Sequence, residues 1–579
     1  MRGMKRTQKV LLIALLAILI VALWLWWVKP ENVDMAVYAP STSLLYLESN
    51  RPLTVVETIV GTDAWKVVEK TVGTRRGGPP NHWLQVLVGW TGIGPIQSVI
   101  LARAQVAVVM TDLGTAEEGD TLRVKPEGAV LIETHTAERR IRPPVEAAVK
   151  RLAEMTYGNP TSKRINIDGV EFIEWIAPEG SRQIVAAITG SLVIVGNSEQ
   201  AVRSCLMVSL RRSRNLKEDP ELERTRRQLA GDRALTFGYV PPENSARLLS
   251  VGVPLILGRA PSDSEFQRLI AVNAAKVFGS LGWSSHPFMT GIEDRYLISL
   301  QPSIVSRLKP AFAHTTTSTQ IQRLWPTDVY SVTHYRFENP AGVFQDLKAA
   351  ASSQLDVLSA IVFSSLLKSA LLSYGIDEPE RFLGAVKGEL LTLRLDQNGE
   401  RTMMIAGVRD RESLQEIVKK SMGGSPRSDR VSDAEILVNN KGELAVSLDK
   451  DFVVLGSPSD VRRYSENAKT SIIMNDEELR RMTFYVPLSS SANIVTYTND
   501  SDRVAGFISA IISAKGTPST GSRSVEPMLA ELPYSVTETT LGERGLERVT
   551  RSPLGQFSTL LPLLIPERSS LMKSITQPE

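Results

Sequence analysis

Apolar positions in this chain fall into one long unbroken run and many short ones. The long run, Val10 to Val28, holds nineteen apolar residues without a charge, with Arg2, Lys5, Arg6 and Lys9 before it and Lys29 after it. At about 1.5 Å per helical residue it reaches about 28 Å, close to the roughly 30 Å of a hydrocarbon core. The basic flank predicts a cytoplasmic N-terminus, and Trp24, Trp26 and Trp27 stand where an interfacial aromatic belt belongs. A cleavable signal peptide has a shorter apolar region that ends in small residues. Here the run ends in indoles, and Ala36 and Ala39 lie well beyond it. The expectation is an uncleaved single-pass anchor over 10–28. A basic tail over 1–9 would face the cytoplasm, and the bulk of the chain would be periplasmic or extracellular beyond an inner or cytoplasmic membrane.

The short runs predict alternating strands and helices. Val193-Ile194-Val195 and Val453-Val454-Leu455 are β-branched-rich runs bounded by turn residues, the mark of strands with buried sides. In the C-terminal part, strands are expected at 329–337, 388–395, 401–408, 434–439, 443–448 and 452–455. Glu400-Arg401 and Lys441-Gly442 occupy short connections, so neighbours should pair as antiparallel hairpins. Helices are expected at 341–373, 411–421, 459–468 and 502–514, and in the N-terminal part near 52–72, 143–156, 199–210, 220–229 and 264–279. Hairpins flanked by helices give an α+β fold. Segment 343–373 is amphipathic, and Asp356 and Lys368 would be costly at a bilayer centre, so it does not read as a second span.

The pattern is written twice. Ile188 to Arg203 (ITGSLVIVGNSEQAVR) and Ser447 to Arg462 (SLDKDFVVLGSPSDVR) share a polar turn, an aliphatic run, a glycine, a cap-like cluster and Val-Arg. Thr236 to Pro241 (TFGYVP) is echoed by Thr483 to Pro487 (TFYVP), and Pro40 to Asn50 by Pro326 to Asn339. A weaker likeness links Met289–Pro302 with Val536–Pro553. Two tandem repeats of mainly antiparallel sheet with flanking helices are expected, over 36–310 and 326–567, with a linker over 311–325 and a C-terminal tail over 568–579. In the shared motif, Gly196 and Gly456 are read as letting the chain turn sharply out of the strand. Asn197 or Ser198 caps the helix that follows in the first copy; Ser457 caps it in the second, with Pro458 in its first turn. Strand, glycine and helix start could cradle an anion. The several glycines and the lysine of a phosphate loop are missing, so a structural cap is the reading.

Composition narrows the function classes. At 579 residues the chain exceeds one core. Its 66 basic groups nearly balance 63 acidic ones, which argues against nucleic acid as a partner. The single cysteine, Cys205, excludes an intramolecular disulfide and a cysteine metal cluster, and it reads as a buried apolar thiol. The five histidines, His82, His135, His286, His314 and His334, form no HExxH and no i,i+4 pair. No GxSxG appears, and Ser365-Leu366-Leu367-Lys368 matches SxxK without any KTG. Glu117-Glu118 and Asp476-Glu477-Glu478 lie in polar, turn-like segments. Arg211, Arg212, Arg214, Arg224, Arg226 and Arg227 are interleaved with Glu218, Asp219, Glu221 and Glu223, as in a salt-bridged helix pair. No catalytic, metal-binding or cofactor-binding residue is assigned, and no cofactor is expected.

The chain resembles an uncharacterised family of bacterial envelope proteins defined by a domain of unknown function. The resemblance rests on the basic N-terminus and apolar run, on Tyr38, Pro40 and Leu45 to Leu47, and on Gly196, Ser198, Glu199 and Ala201 to Arg203. It implies a single-pass extracytoplasmic protein and supplies no catalytic residue. The expectation is a non-enzymatic, membrane-anchored binding or scaffolding protein of the envelope, its partners the membrane and an envelope protein or lipid. A lipid or hydrophobic-ligand carrier is the alternative, with Leu248–Leu257, 343–373 and Leu560–Ile565 lining its cavity. A hydrolase with an unrecognised site is the third reading.

Overall fold

The computed structural model describes residues 31–72, 100, 103–118, 121–231, 233–248, 272–312, 329–354, 368, 371–423, 426–431, 434–470, 492–515 and 526–564. The first ten strands are β1 (Leu45–Ser49), β2 (Gln105–Glu118), β3 (Thr121–Glu133), β4 (Thr161–Ile167), β5 (Val170–Ile176), β6 (Gln183–Thr189), β7 (Leu192–Gly196), β8 (Thr236–Val240), β9 (Phe278–Phe288) and β10 (Gly291–Leu300). The next ten are β11 (Ser331–Arg336), β12 (Val386–Arg394), β13 (Thr402–Val408), β14 (Arg427–Val431), β15 (Ala434–Val438), β16 (Ala445–Leu448), β17 (Phe452–Gly456), β18 (Ile494–Thr498), β19 (Ser535–Leu541) and β20 (Gly545–Ser552). The helices used below are α1 (Pro52–Val60), α2 (Asp63–Val72), α3 (Glu138–Tyr157), α4 (Glu199–Ser209), α5 (Pro220–Leu229), α6 (Pro302–Phe312), α7 (Pro340–Gln354), α8 (Pro379–Ala385), α9 (Arg411–Ser421), α10 (Pro458–Thr470), α11 (Ser501–Lys515), α12 (Glu526–Ala530) and α13 (Phe557–Leu564).

Among the described residues, all twenty strands join into one antiparallel sheet. The first ten follow the order β4-β5-β6-β7-β3-β2-β1-β8-β9-β10. The second ten continue from β10 as β20-β19-β18-β11-β12-β13-β17-β16-β15-β14. Read outward from the central β10–β20 pair, the two halves have the same strand order, which is an internal two-fold relation. β10 and β20 align over eight residue pairs, from Ile292 opposite Ser552 to Ser299 opposite Gly545.

This corrects the expected architecture in two respects. Two tandem repeats of mainly antiparallel sheet were expected, and their strands form one shared sheet. An unpaired β10 would leave a long ladder of backbone donors and acceptors bare, and β20 covers it. Secondly, among the described residues no helix is long and apolar enough to cross a membrane. The longest, α3, carries Glu138, Arg139, Arg140, Arg142, Glu146, Lys150, Arg151 and Glu154 along its length. The expected anchor over 10–28, with Arg2, Lys5, Arg6, Lys9, Trp24, Trp26 and Trp27, lies outside the described residues. The described fold therefore gives the expected single-pass architecture no spanning helix.

Other expectations move with the strand order. The echo at Thr483–Pro487 lies outside the described residues, and β18 is the strand that occupies the place of β8. The helix expected over 264–279 gives way to β9 from Phe278 onward. The single helix expected over 52–72 is two, α1 and α2, broken at Gly61 and Thr62.

Packing follows from which face each strand turns to a helix. Tyr46, Val109, Leu131, Phe172 and Ile194 form one core with Val202, Cys205 and Leu206 of α4. Val332, Leu391, Ile405, Ile436 and Val454 form the matching core with Val461 of α10. The opposite faces are covered by α3 in the first half and by α8 and α9 in the second. A further core spans the join: Val55, Ile59, Val67 and Val68 of α1 and α2 pack with Ile292, Val504, Phe507, Ile508 and Phe557. Ile304 and Leu308 of α6 pack likewise on Ala350 of α7, so the halves are welded through side chains as well as backbone.

Candidate functional site

The duplicated glycine motif serves the fold. Gly196 pairs with Ala129 and Val185, and Gly456 stands equivalently opposite Met403 and Ala445. Neither has a positive φ, so the expected sharp turn is not what requires glycine. A Cβ on Gly196 would lie 2.7 Å from Val202 Cγ2 and 2.8 Å from the Gly128 carbonyl oxygen. Close approach of α4 to the sheet is the reason. Asn197 Nδ2 donates to the Pro126 carbonyl (2.6 Å), and its Oδ1 accepts from the Gly128 N–H (2.9 Å). Ser198 caps α4 by accepting from the Ala201 N–H at 3.1 Å. In the second half Ser457 accepts from the Asp460 N–H (3.2 Å) and donates to Asp460 Oδ2 (2.7 Å), with Pro458 opening α10. Asp460 is also paired with Arg401. The two motifs are not brought together, since twelve strands separate β7 from β17.

A site of another kind lies beside β1. Tyr46 and Glu48 alternate onto the same buried face of that strand, and Glu48 is opposite Ala107 of β2 and Phe237 of β8. A carboxylate there needs a cation, and Arg226 of α5 supplies it, with Nε 3.1 Å from Glu48 Oε1. Glu48 Oε2 accepts from the Tyr46 hydroxyl at 2.7 Å. Arg226 also reaches both oxygens of Asp34, at 3.2 and 3.3 Å, and its guanidinium lies 5.5 Å from the Phe237 ring centroid. Burial raises the Glu48 carboxyl above its ordinary value against the opposing pull of Arg226 and Tyr46. Burial likewise opposes the charge on Arg226, and Glu48 and Asp34 overcome it, holding its pKa high.

Above this network is a pocket of about 330 Å³. Its floor is Glu48 and Arg226; its rim carries Arg51, Arg233, Asn50 and Thr54; Leu235, Phe237 and Pro287 supply apolar wall. Gly231, at φ +55°, turns the chain out of α5 so that Arg233 and Leu235 return along the rim. Ser49 Oγ ties that segment to β1 through the Leu235 carbonyl at 2.8 Å. The second half does not repeat the charge: the position of Glu48 is taken in β11 by His334, opposite Leu391 and Val495.

Sequence pattern alone groups Arg226 with its basic neighbours and does not mark Glu48. The available signal was a charged residue at the buried parity of a strand whose other face-mates are apolar. That basic stretch is ion-paired as expected, through Arg212–Asp168 (2.9 Å), Arg224–Glu221 (3.3 Å) and Arg227–Glu223 (3.5 Å), although α5 is a single helix after a short turn.

Among the described residues no group of three or more His, Cys, Asp or Glu is placed to hold a metal. Cys205 is fully buried, and burial pushes its thiol up to about 12. Ser284 Oγ and His286 Nε2 lie 3.0 Å apart, but both are buried and both turn to the Leu229 carbonyl, and neither lines the pocket. Of the five histidines, His82 and His314 lie outside the described residues, as does Ser365.

No protein-family model matches the chain, and no curated protein matches it. Among solved structures, the duplicated taurocyamine kinase from Schistosoma mansoni with bound transition state analog components aligns over 94% of this chain and 85% of that chain. At 9% identity and a TM-score of 0.13 that likeness carries no argument about fold or function.

Proposed function

We propose that this is a non-enzymatic binding protein, in which a continuous sheet serves as a stiff frame and the pocket beside β1 takes a small ligand. The observation that supports this reading is the buried Glu48–Arg226–Asp34 network under an open pocket of about 330 Å³. That volume is at the lower end of ligand sites, and an apolar wall with a few converging polar groups is their usual make-up. Both Glu48 oxygens are engaged, by Tyr46 and by Arg226, which suits a fixed polar floor better than a nucleophile.

The lipid-carrier alternative draws nothing from this pocket. Among the described residues of Leu248–Leu257, 343–373 and Leu560–Ile565, none contributes to its lining, and its rim is cationic. The test is a small-molecule screen by ligand-observed NMR on the full chain, repeated with Thr54→Trp, which fills the pocket from α1. Hits that disappear in the variant are expected. Hits that persist unchanged, or none at all, would remove the pocket as the binding site.

A further inference from the structure

We infer that the pocket selects a small organic anion, a carboxylate or a phosphate ester on an apolar body. This rests on the reading of the pocket as the ligand site and adds the chemistry that it recognises.

The floor is already matched: Glu48 and Asp34 face Arg226, and Lys217 lies 3.6 Å from Asp34. The rim is not. Among the described residues, neither Arg51 nor Arg233 makes an ion pair, and both line the same pocket.

Asn50 adds a further donor, and its orientation follows from its neighbours. The Val33 N–H donates to Gln105 Oε1 at 2.7 Å, so Gln105 must present Nε2 elsewhere. That nitrogen donates to the Val33 carbonyl (2.7 Å) and to Asn50 Oδ1 (2.6 Å). The Asn50 oxygen is thereby used, which leaves its N–H2 as the remaining polar group at the pocket.

Two guanidinium groups and an amide N–H2 thus stand over a floor whose carboxylate is occupied. A negative group is stabilised there, whereas a cation would meet two unpaired arginines. Leu235, Phe237 and Pro287 accept the apolar body.

The experiment is isothermal titration calorimetry of the full chain at low salt, with four probes that share one ring: benzoate, phenyl phosphate, benzylamine and benzyl alcohol. The anions are expected to bind, and Arg51→Gln and Arg233→Gln are each expected to weaken them about 10- to 100-fold. Both side chains are exposed and without an ion pair, so the melting temperature should stay unchanged. Tighter binding of benzoate assigns a carboxylic acid as the source, and tighter binding of phenyl phosphate a phosphoryl group. Benzylamine or benzyl alcohol binding as well as the anions, and lost in Thr54→Trp, would overturn the anion inference while leaving the pocket as the ligand site. Anions that fail to bind up to millimolar concentration, or that bind both arginine variants as well as the parent, would also overturn it.

Discussion

Glu293 of β10 and Arg551 of β20 meet at 2.9 Å across the strand pair that joins the two halves. Arg551 also donates to Glu538 of β19 at 2.7 Å, and Arg295 reaches Glu293 at 2.8 Å. Glu293 and Glu538 are each only 7% exposed, so Arg551 neutralises two buried carboxylates at once. Arg551→Met should therefore cost about 3–5 kcal/mol, because buried Glu538 loses this guanidinium and Glu293 keeps only Arg295. Adding Glu293→Gln and Glu538→Gln to the same chain should recover most of that loss. Urea denaturation of the parent, the single and the triple variant decides it: equal midpoints for single and triple variants would show that the network does not hold the join.

Asp294 turns to the other face of the same strand. Its Oδ1 accepts from Trp283 Nε1 and its Oδ2 from the Gln556 N–H, both at 2.9 Å. Burial, against these two hydrogen bonds, pushes its carboxyl up to about 7. An unfolded aspartate releases its proton near 3.9, so between about pH 4 and 7 the folded chain holds a proton that the unfolded chain has lost. Stability from this group is present below pH 4 and lost as pH rises through 7, a change of about 4 kcal/mol. Asp294→Asn should be less stable than the parent at pH 5, where one donor is mispaired, and more stable at pH 8.5. Denaturation curves that stay parallel across that range would refute the assignment.

His334 works in the opposite direction. Burial first, and then Arg336, lower its pKa to about 3. The unfolded histidine takes up a proton near 6.5, so the unfolded state gains protons first as pH falls. Stability from this group is complete above about 6.5 and is lost on the way down to 3, again about 4–5 kcal/mol. Between pH 4 and 6.5 the His334 and Asp294 slopes oppose each other, and the parent should look nearly flat there from these two groups. His334→Gln should uncover the Asp294 slope, with stability that rises as pH falls from 7 to 4. A variant as flat as the parent would count against both assignments.

How much of this was legible depends on the range of the interaction. The strand–glycine–cap–helix corner is local, and Ser198 and Ser457 sit where their spacing placed them. The β10–β20 pairing is carried by residues 258 positions apart, and nothing in either strand alone specifies the partner. The pocket is hidden for the same reason, since Asp34 and Arg226 are 192 positions apart. The 264–279 expectation failed where Phe278 begins β9. Gly282 in that strand lets Thr225 and Leu229 of α5 close on the sheet, into the space that a Cβ would occupy.

The two motif glycines give a graded prediction, because the same position is crowded to different degrees. A Cβ at Gly196 meets Val202 Cγ2 at 2.7 Å and the Gly128 carbonyl oxygen at 2.8 Å, and a backbone oxygen inside the sheet cannot step aside. At Gly456 the nearest atoms are the Thr402 carbonyl oxygen at 3.2 Å and Met403 Cγ at 3.3 Å. Methionine is flexible, so part of that contact can relax. Gly196→Ala should then cost about 1–3 kcal/mol as an overpacking defect, and Gly456→Ala distinctly less. Removing the caps separates packing from hydrogen bonding: Ser198→Ala and Ser457→Ala should each cost about 1 kcal/mol, and about equally, because the cap bonds are alike at 3.1 and 3.2 Å. If Gly456→Ala proved the worse of the two glycine variants, close approach of α4 to β7 would not be what requires Gly196.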